Sequence, residues 1–527
     1  MQRESMLRNL RDRKQPWDLA VIGGGATGMG VAVDAATRGL DVVLVEAHDF
    51  GKGTSSRSTK LVHGGVRYLE QGNVALVMSA LKERGLLRKN APHLVHDLAF
   101  VVPNYSWWEA PFYGIGLKLY DLLAGKYGFG PSRLLSKEET LDKLPALDPQ
   151  DLSGGVVYYD GQFDDARLLI HLAMTAAEHG ATVVNYCAAT GLLRDAEGYI
   201  NGLTARDAES GEEFAIAARV VVNATGVFTD EVRRMADPRA EPLLVASQGI
   251  HLVFDHSFLK GDSALMVPRT SDGRVLFVIP WHGYAMAGTT DTPVDGPSLE
   301  PQALDTEVDF ILETAGRYLT RPPSRADVLS VFAGLRPLVR GAGKTSALSR
   351  DHVIHVDESG LLTITGGKWT TYRHMAEDCV DNAITLGRLR EEPCVTRALR
   401  IHGYCEDAEK FGDLEVYGAD AAEIRALAEE KPELGRRLDP ALPVIGAEIV
   451  WAVLEEMARS VEDALARRTR ALFLDARATM RMAEPAARLM AAELGKGDDW
   501  VHEQVNAFSQ LAEHYWLSPG VKLGQNI

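Results

Sequence analysis

Between Asp49 and Glu70 the chain carries Lys52, Arg57, Lys60, His63 and Arg67 and no acidic residue. Yet the whole protein is acidic, with 56 Lys and Arg against 73 Asp and Glu and a net charge of −17. Cations gathered with hydroxyls and glycines, in TSSRSTKLVHGGVRYLEQG at 54–72, suit an anionic small ligand. The acidic balance argues against nucleic-acid binding, which needs a basic surface to displace counterions. A second chemical pattern lies upstream. Gly23-x-Gly25-x-x-Gly28 stands between an apolar run and an Ala-rich segment, and Glu46 ends the next apolar run. Gly23 permits a tight turn, Gly25 a close approach of backbone to a pyrophosphate, and Gly28 close helix–strand packing. The helix N-terminus then offers N–H groups to phosphate, and Glu46 an acceptor to a ribose.

These groups need elements to hold them. WDLAVIGGGATGMGVAVDAATRGLDVVLVE reads as strand, glycine turn, helix and strand, the opening of a βαβ unit. VVVNATG places Ala224, Thr225 and Gly226 after a buried strand, and TITGGKWTTYR places Gly366 and Gly367 at the start of a helix. Three strand ends that converge on one dinucleotide favour FAD over NAD. A helix N-terminus near an isoalloxazine ring would stabilise charge on the reduced flavin.

At 527 residues the chain is too long for one core. The expected fold class is α/β: a Rossmann-like FAD-binding domain, a β-rich substrate domain and an all-α C-terminal domain. The FAD-binding domain is assigned to 15–75, 155–240 and 345–388, the substrate domain to 76–154 and 241–344, and the helical domain to 390–527. Four scattered cysteines support neither disulfides nor a zinc site and fit a reducing compartment. No export signal is expected from the charged N-terminus, and no apolar run is long enough to span a membrane.

The sequence resembles the aerobic, FAD-dependent glycerol-3-phosphate dehydrogenases. The resemblance rests on IGGGATGMGVAVDAATRGLDVVLVEAHDF, GTSSRSTKLVHGGVRYLE, DDARL, VNATG, VIPW, GTTD, GLRPL, SRDH and GGKWTTYR, in family order over about 17–385. It implies oxidation of glycerol 3-phosphate to dihydroxyacetone phosphate, with electrons passing through FAD to a membrane quinone. Thr54, Ser55 and Ser56 would then cradle the FAD pyrophosphate, with His63, Gly64 and Gly65 alongside the flavin. Arg67 and Tyr68, together with Arg336, Arg350 and Lys368, would bind substrate, and Lys368 would also neighbour the cofactor.

Oxidising a secondary alcohol removes a hydride and a proton, and a proton acceptor titrating near neutrality suits histidine. The candidates are His251, in QGIHLVF, and His63, with Arg336 stabilising the alkoxide. Quinone reduction implies peripheral attachment to the inner face of the cell membrane of an otherwise cytoplasmic protein. Residues 1–15 form a short basic amphipathic pattern, and 107–129 concentrate aromatics around Lys118 and Lys126. A tail and a core hairpin are the structural alternatives. An oxidase using oxygen, a flavin enzyme for a 2-hydroxy or amino acid, and a non-catalytic dinucleotide-binding protein remain rival readings. The helical domain suits a homodimer or a partner contact equally.

Overall fold

The structure is a computed structural model. It describes residues 1–527 apart from 67–68, 70–72, 107–108, 271–272, 342–351 and 518–527, and describes no side chain at 109–112. The first apolar run forms β1 (Trp17–Ile22), which pairs in parallel with β2 (Val42–Val45) and β10 (Glu213–Asn223). Beyond β2 lies β7 (Thr182–Val184) and beyond β10 lies β18 (Leu362–Gly366), both parallel; β17 (His352–Val356) closes that edge antiparallel. Strands β8 (Cys187–Arg194) and β9 (Ile200–Asp207) form an antiparallel flap on the first half of β10. Parallel strands share a direction, so β1, β2, β10 and β18 end along one crevice. These strands are apolar on both faces because helices cover both. Leu19, Val21, Val42, Leu44 and Val222 are wholly buried, each contributing roughly 1.5–3 kcal/mol. Helices Ala26–Thr37 and Tyr372–Gly387 cross closely over this sheet, where a Cβ on Gly30 would lie 3.0 Å from the Tyr372 ring.

A second sheet contains, among the described residues, ten strands: β3 (Leu61–Val62), β4 (Val95–Asn104), β5 (Arg133–Leu135), β6 (Gly154–Phe163), β11 (Leu244–Asp255), β12 (Ala264–Val267), β13 (Leu276–Trp281), β14 (Tyr284–Gly288), β15 (Thr292–Pro293) and β16 (Val328–Val339). Its order is β15-β11-β14-β13-β12-β4-β6-β3, with β16 on β11 and β5 on β6. Residues 61–62 and 154–163 therefore belong to this sheet, although the sequence-based boundaries put 61–62 and 155–163 with the FAD-binding segments. Strand β6 pairs with β4 along its whole length, and that long-range partner fixes its place. The described residues after 390 are helical or looped, as expected of the C-terminal region.

The N-terminal segment is not a tail, and its apolar side is taken by protein. It forms the helix Arg3–Asp12, whose Leu7 and Leu10 pack into a core with Trp17, Val43 and Val184. The Arg3 guanidinium donates to the Asn185 carbonyl (2.9 Å) and to Asp207 (2.5 Å). The other aromatic stretch contains the helix Glu109–Ala124, with Leu117, Tyr120 and Ala124 buried. On its outer face Ile115 and Leu122 are 74% and 76% exposed. Trp107 and Trp108 lie outside the described residues. No helix among the described residues is long and apolar enough to cross a membrane.

The C-terminal region is held to the first sheet by buried charge. Asp49, in the loop after β2, accepts from Arg467 (2.5 Å) and Arg468 (2.7 and 3.0 Å). Arg167 in the helix Asp165–Glu178 pairs with Glu456 and donates to the Arg468 carbonyl (2.6 Å). At the other margin, His402 bridges Glu178 (Nδ1, 2.5 Å) and Asp420 (Nε2, 2.8 Å). Burial alone would lower the His402 pKa, but its bonds to Asp420 and Glu178 raise it to about 9. A raised histidine contributes stability that is complete below its unfolded value, about 6.5, and is lost as pH rises through about 9. The His402→Asn variant should thus lose about 2–3 kcal/mol at pH 6 and match the parent above pH 9. Urea midpoints of both proteins across that range check this.

Candidate active site

The ends of β1, β2, β10 and β18 face the second sheet across a cavity of about 670 Å³. At its first end Gly23 has φ +109°, and a Cβ there would lie 2.7 Å from the Ala224 carbonyl oxygen. A Cβ on Gly28 would overlap the Gly23 carbonyl oxygen, so Gly28 serves helix–strand packing and stays off the cavity wall. Gly25 lines the cavity, and the next amide, Ala26 N–H, donates to Ser55 Oγ (2.9 Å) at the helix start. Glu46 also lines it, with its carboxylate accepting from Gly24 N–H (2.6 Å) and His48 N–H (2.9 Å). Burial pushes its pKa up. One lone pair on each oxygen stays open to a further donor. Thr54, Ala224, Thr225 and Gly226 complete this end, Thr54 by donating to the Leu335 carbonyl (2.7 Å). Ser56 does not join them: it is buried, and its carbonyl accepts from Lys60 (2.8 Å) and Arg470 (2.9 Å). That carbonyl faces the C-terminal region instead.

At the other end Gly366 and Gly367 take φ +78° and +70°. A Cβ on Gly367 would overlap Met375. Lys368 lines the cavity in extended conformation, and a tight turn at Trp369–Thr371 precedes the helix expected directly after the glycines. Trp369 Nε1 donates to the Ser55 carbonyl (2.8 Å), joining the two ends. His63 and Gly65 line the cavity beside this turn, with His63 N–H donating to Thr370 Oγ1 (3.2 Å). Gly64 points away, against Tyr120 and Leu81.

The second sheet supplies the facing wall. Arg336 on β16 lies opposite Ser247 on β11 and donates to Thr289 Oγ1 (3.0 Å), the Thr290 carbonyl (3.0 Å) and the Gln248 carbonyl (3.3 Å). Gly249 makes room for it, since a Cβ there would overlap the guanidinium. His251 on β11 is 2% exposed, stacks on Phe332 (4.9 Å between centroids), and has Nε2 2.9 Å from Thr59 Oγ1. Its Nδ1 is buried without a hydrogen-bond partner among the described residues. Burial, with Lys60 and Arg336 nearby, holds the His251 pKa well below the ordinary range, so the imidazole is neutral. Phe100, Tyr158, Met266 and Phe277 make the same wall apolar further along.

The cations of the 49–70 stretch divide in use. Lys52 pairs with Glu300 (2.9 Å) and Glu462, and Arg57 with Glu300 (2.7 Å). Lys60 is wholly buried against Asp165 (2.7 Å), and burial pulls it down to about 7 despite that partner. These three hold the loop to distant elements and do not wait for a ligand. Arg67, Tyr68 and Arg350 lie outside the described residues. The sequence reading gave no role to Gly249, Trp369, Thr370 or Asp160, and placed the Thr59 hydroxyl with the cofactor rather than on His251. Trp369 and Thr370 had a signal in GGKWTTYR, and Gly249 in standing two residues before a candidate histidine.

A continuous cavity between a glycine turn that no side chain fits and a second Gly-Gly turn suits an extended dinucleotide. Comparisons with known proteins agree. The family model for FAD dependent oxidoreductase matches residues 18–373, and that for the C-terminal domain of alpha-glycerophosphate oxidase matches 394–501. A probable mitochondrial glycerol-3-phosphate dehydrogenase of Caenorhabditis elegans is 41% identical, over 94% of this chain and 72% of the relative. The mitochondrial glycerol-3-phosphate dehydrogenase of Homo sapiens is 40% identical, over 95% and 74%. The crystal structure of a Bacillus halodurans glycerol-3-phosphate dehydrogenase complexed with FAD superposes with a TM-score of 0.80 at 30% identity, covering 99% of both chains.

The overlap at Gly28 makes a direct check. The Gly28→Val variant should be purified without the visible flavin absorption of the parent, while its far-ultraviolet circular dichroism shows a folded chain.

Proposed function

The chain belongs to the FAD-dependent glycerol-3-phosphate dehydrogenases, and from that premise we propose that it oxidises sn-glycerol 3-phosphate to dihydroxyacetone phosphate and passes the electrons to a membrane quinone. The observation that carries the substrate reading is the meeting of Arg336, Lys368 and His251 on one cavity with the flavin cradle. FAD, when bound there, supplies the two-electron acceptor. Arg336 and Lys368 offer charge to the phosphate dianion and to the hydroxyl oxygen as it loses its proton. His251 takes that proton. Its neutrality keeps it ready as a base, and the substrate's negative charge offsets the Lys60 and Arg336 fields that oppose protonation. The stacked Phe332 and the Thr59 bond hold the ring while the proton moves. His63, beside Gly65 on the same cavity, orients in this reading.

Two features support the quinone reading. The apolar wall of Phe100, Tyr158, Met266 and Phe277 exceeds what a three-carbon dianion needs and suits a flat apolar acceptor. The exposed stripe Ile115, Leu119 and Leu122, joined by Leu134 and by Val74 and Met78 from the neighbouring helix Val74–Asn90, suits peripheral contact with lipid.

Anaerobic addition of glycerol 3-phosphate should bleach the bound flavin, and a short-chain quinone should restore it faster than oxygen does. Flavin that stays oxidised sinks the substrate reading, and re-oxidation by oxygen at the quinone rate favours an oxidase. His251→Asn should lower kcat by about 10²–10⁴. In the parent, kcat/KM should hold its plateau below pH 6.5, because a depressed base loses its proton at lower pH. In vesicle flotation, the parent should rise with liposomes and an Ile115→Ser/Leu122→Ser variant should not, with flavin bleaching unchanged.

A further inference from the structure

Asp160 lies on β6, lines the cavity, and is 3% exposed. Its carboxylate accepts from three groups: the Gly64 amide (3.2 Å), the Arg84 guanidinium (2.5 Å) and the Tyr120 hydroxyl (2.8 Å). Arg84, 1% exposed, is fixed in turn by the Tyr127 carbonyl (3.1 Å) and the face of Phe129 (4.1 Å). Gly64 approaches its neighbours so closely that a Cβ there would overlap Tyr120. The strip His63–Gly64–Gly65 is thus gripped by its amides, His63 by Thr370 and Gly64 by Asp160, with Gly65 turning at φ +77°.

A buried ion pair is weak evidence for stability, because apolar residues of equal volume serve as well or better. This pair does something an apolar pair cannot: it sets a charged acceptor on a backbone N–H beside the flavin cradle. We propose that Asp160, backed by Arg84 and Tyr120, is a positioning residue that fixes the His63–Gly65 strip, and through it the flavin and the facing substrate. The inference rests on the cavity being the flavin site and goes beyond the reaction assigned to it.

The test uses the full chain. Asp160→Ala should bind FAD about tenfold more weakly when apoprotein is titrated, shift the visible flavin band, and lower kcat with little change in KM. Arg84→Met/Asp160→Asn, which keeps an acceptor at Gly64 without a lone charge, should recover most of all three. Where Asp160→Ala fails to fold, Tyr120→Phe reads the same effect at smaller size, as a shifted band. Parental band and FAD affinity in Tyr120→Phe, or in a folded Asp160→Ala, overturn the proposal. So does a double variant no better than Asp160→Ala. If glycerol 3-phosphate fails to bleach the parent flavin, the substrate reading falls, while band and affinity still decide on Asp160.

Discussion

The architecture turns on one carboxylate that would be costly to bury alone. Burial would raise the pKa of Asp49, but Arg468 and Arg467 outweigh it and hold the group well below the usual carboxylate range. Those arginines also answer Glu462, Asp463 and Glu456, so these groups, with Arg167, form one network between the loop after β2 and the helical region. Removing one member of such a network leaves a lone buried charge, worth about 3–5 kcal/mol. The loop that opens the cavity is thereby tied into the core beside it.

The same logic explains the acid-free run from Lys52 to Arg67. Its counter-ions exist but come from elsewhere: Glu300 before the helix Asp305–Gly316, Glu462 near the C-terminus, and Asp165 at the start of a central helix. Glu300 also accepts from Tyr515 (2.6 Å); burial would raise its pKa, but Arg57 and Lys52 outweigh it and lower it to about 2. A loop with local acids would satisfy itself. One without them has to be completed by three distant parts of the chain, and this fixes the loop beside the cavity.

Local pattern made part of this legible. The glycine turn, β1, β2 and the Ala-rich helix follow from residues within one window, and the small side chains of that helix announce a close crossing. Partners across hundreds of residues leave no such trace. Strand β6 reads as apolar wherever it pairs, so its sheet was not visible from VVYYDGQF, nor was the role of the lone Asp160 inside it. Leu7 and Leu10 have a spacing that suits lipid and protein alike, and the protein surface took them. Lys52, Arg57 and Lys60 look like ligand cations until Glu300, Glu462 and Asp165 are placed in space.

The order in which the chain is made gives the Asp49 network a temporal meaning. During synthesis the glycine turn at residue 23 appears first, yet β10 and β18 arrive only at 223 and 366, and the arginines that neutralise Asp49 at 467 and 468. The contacts that hold the opening loop are therefore complete only when nearly the whole chain has been made. The cavity's opening loop is thus completed by contacts from the last quarter of the polypeptide.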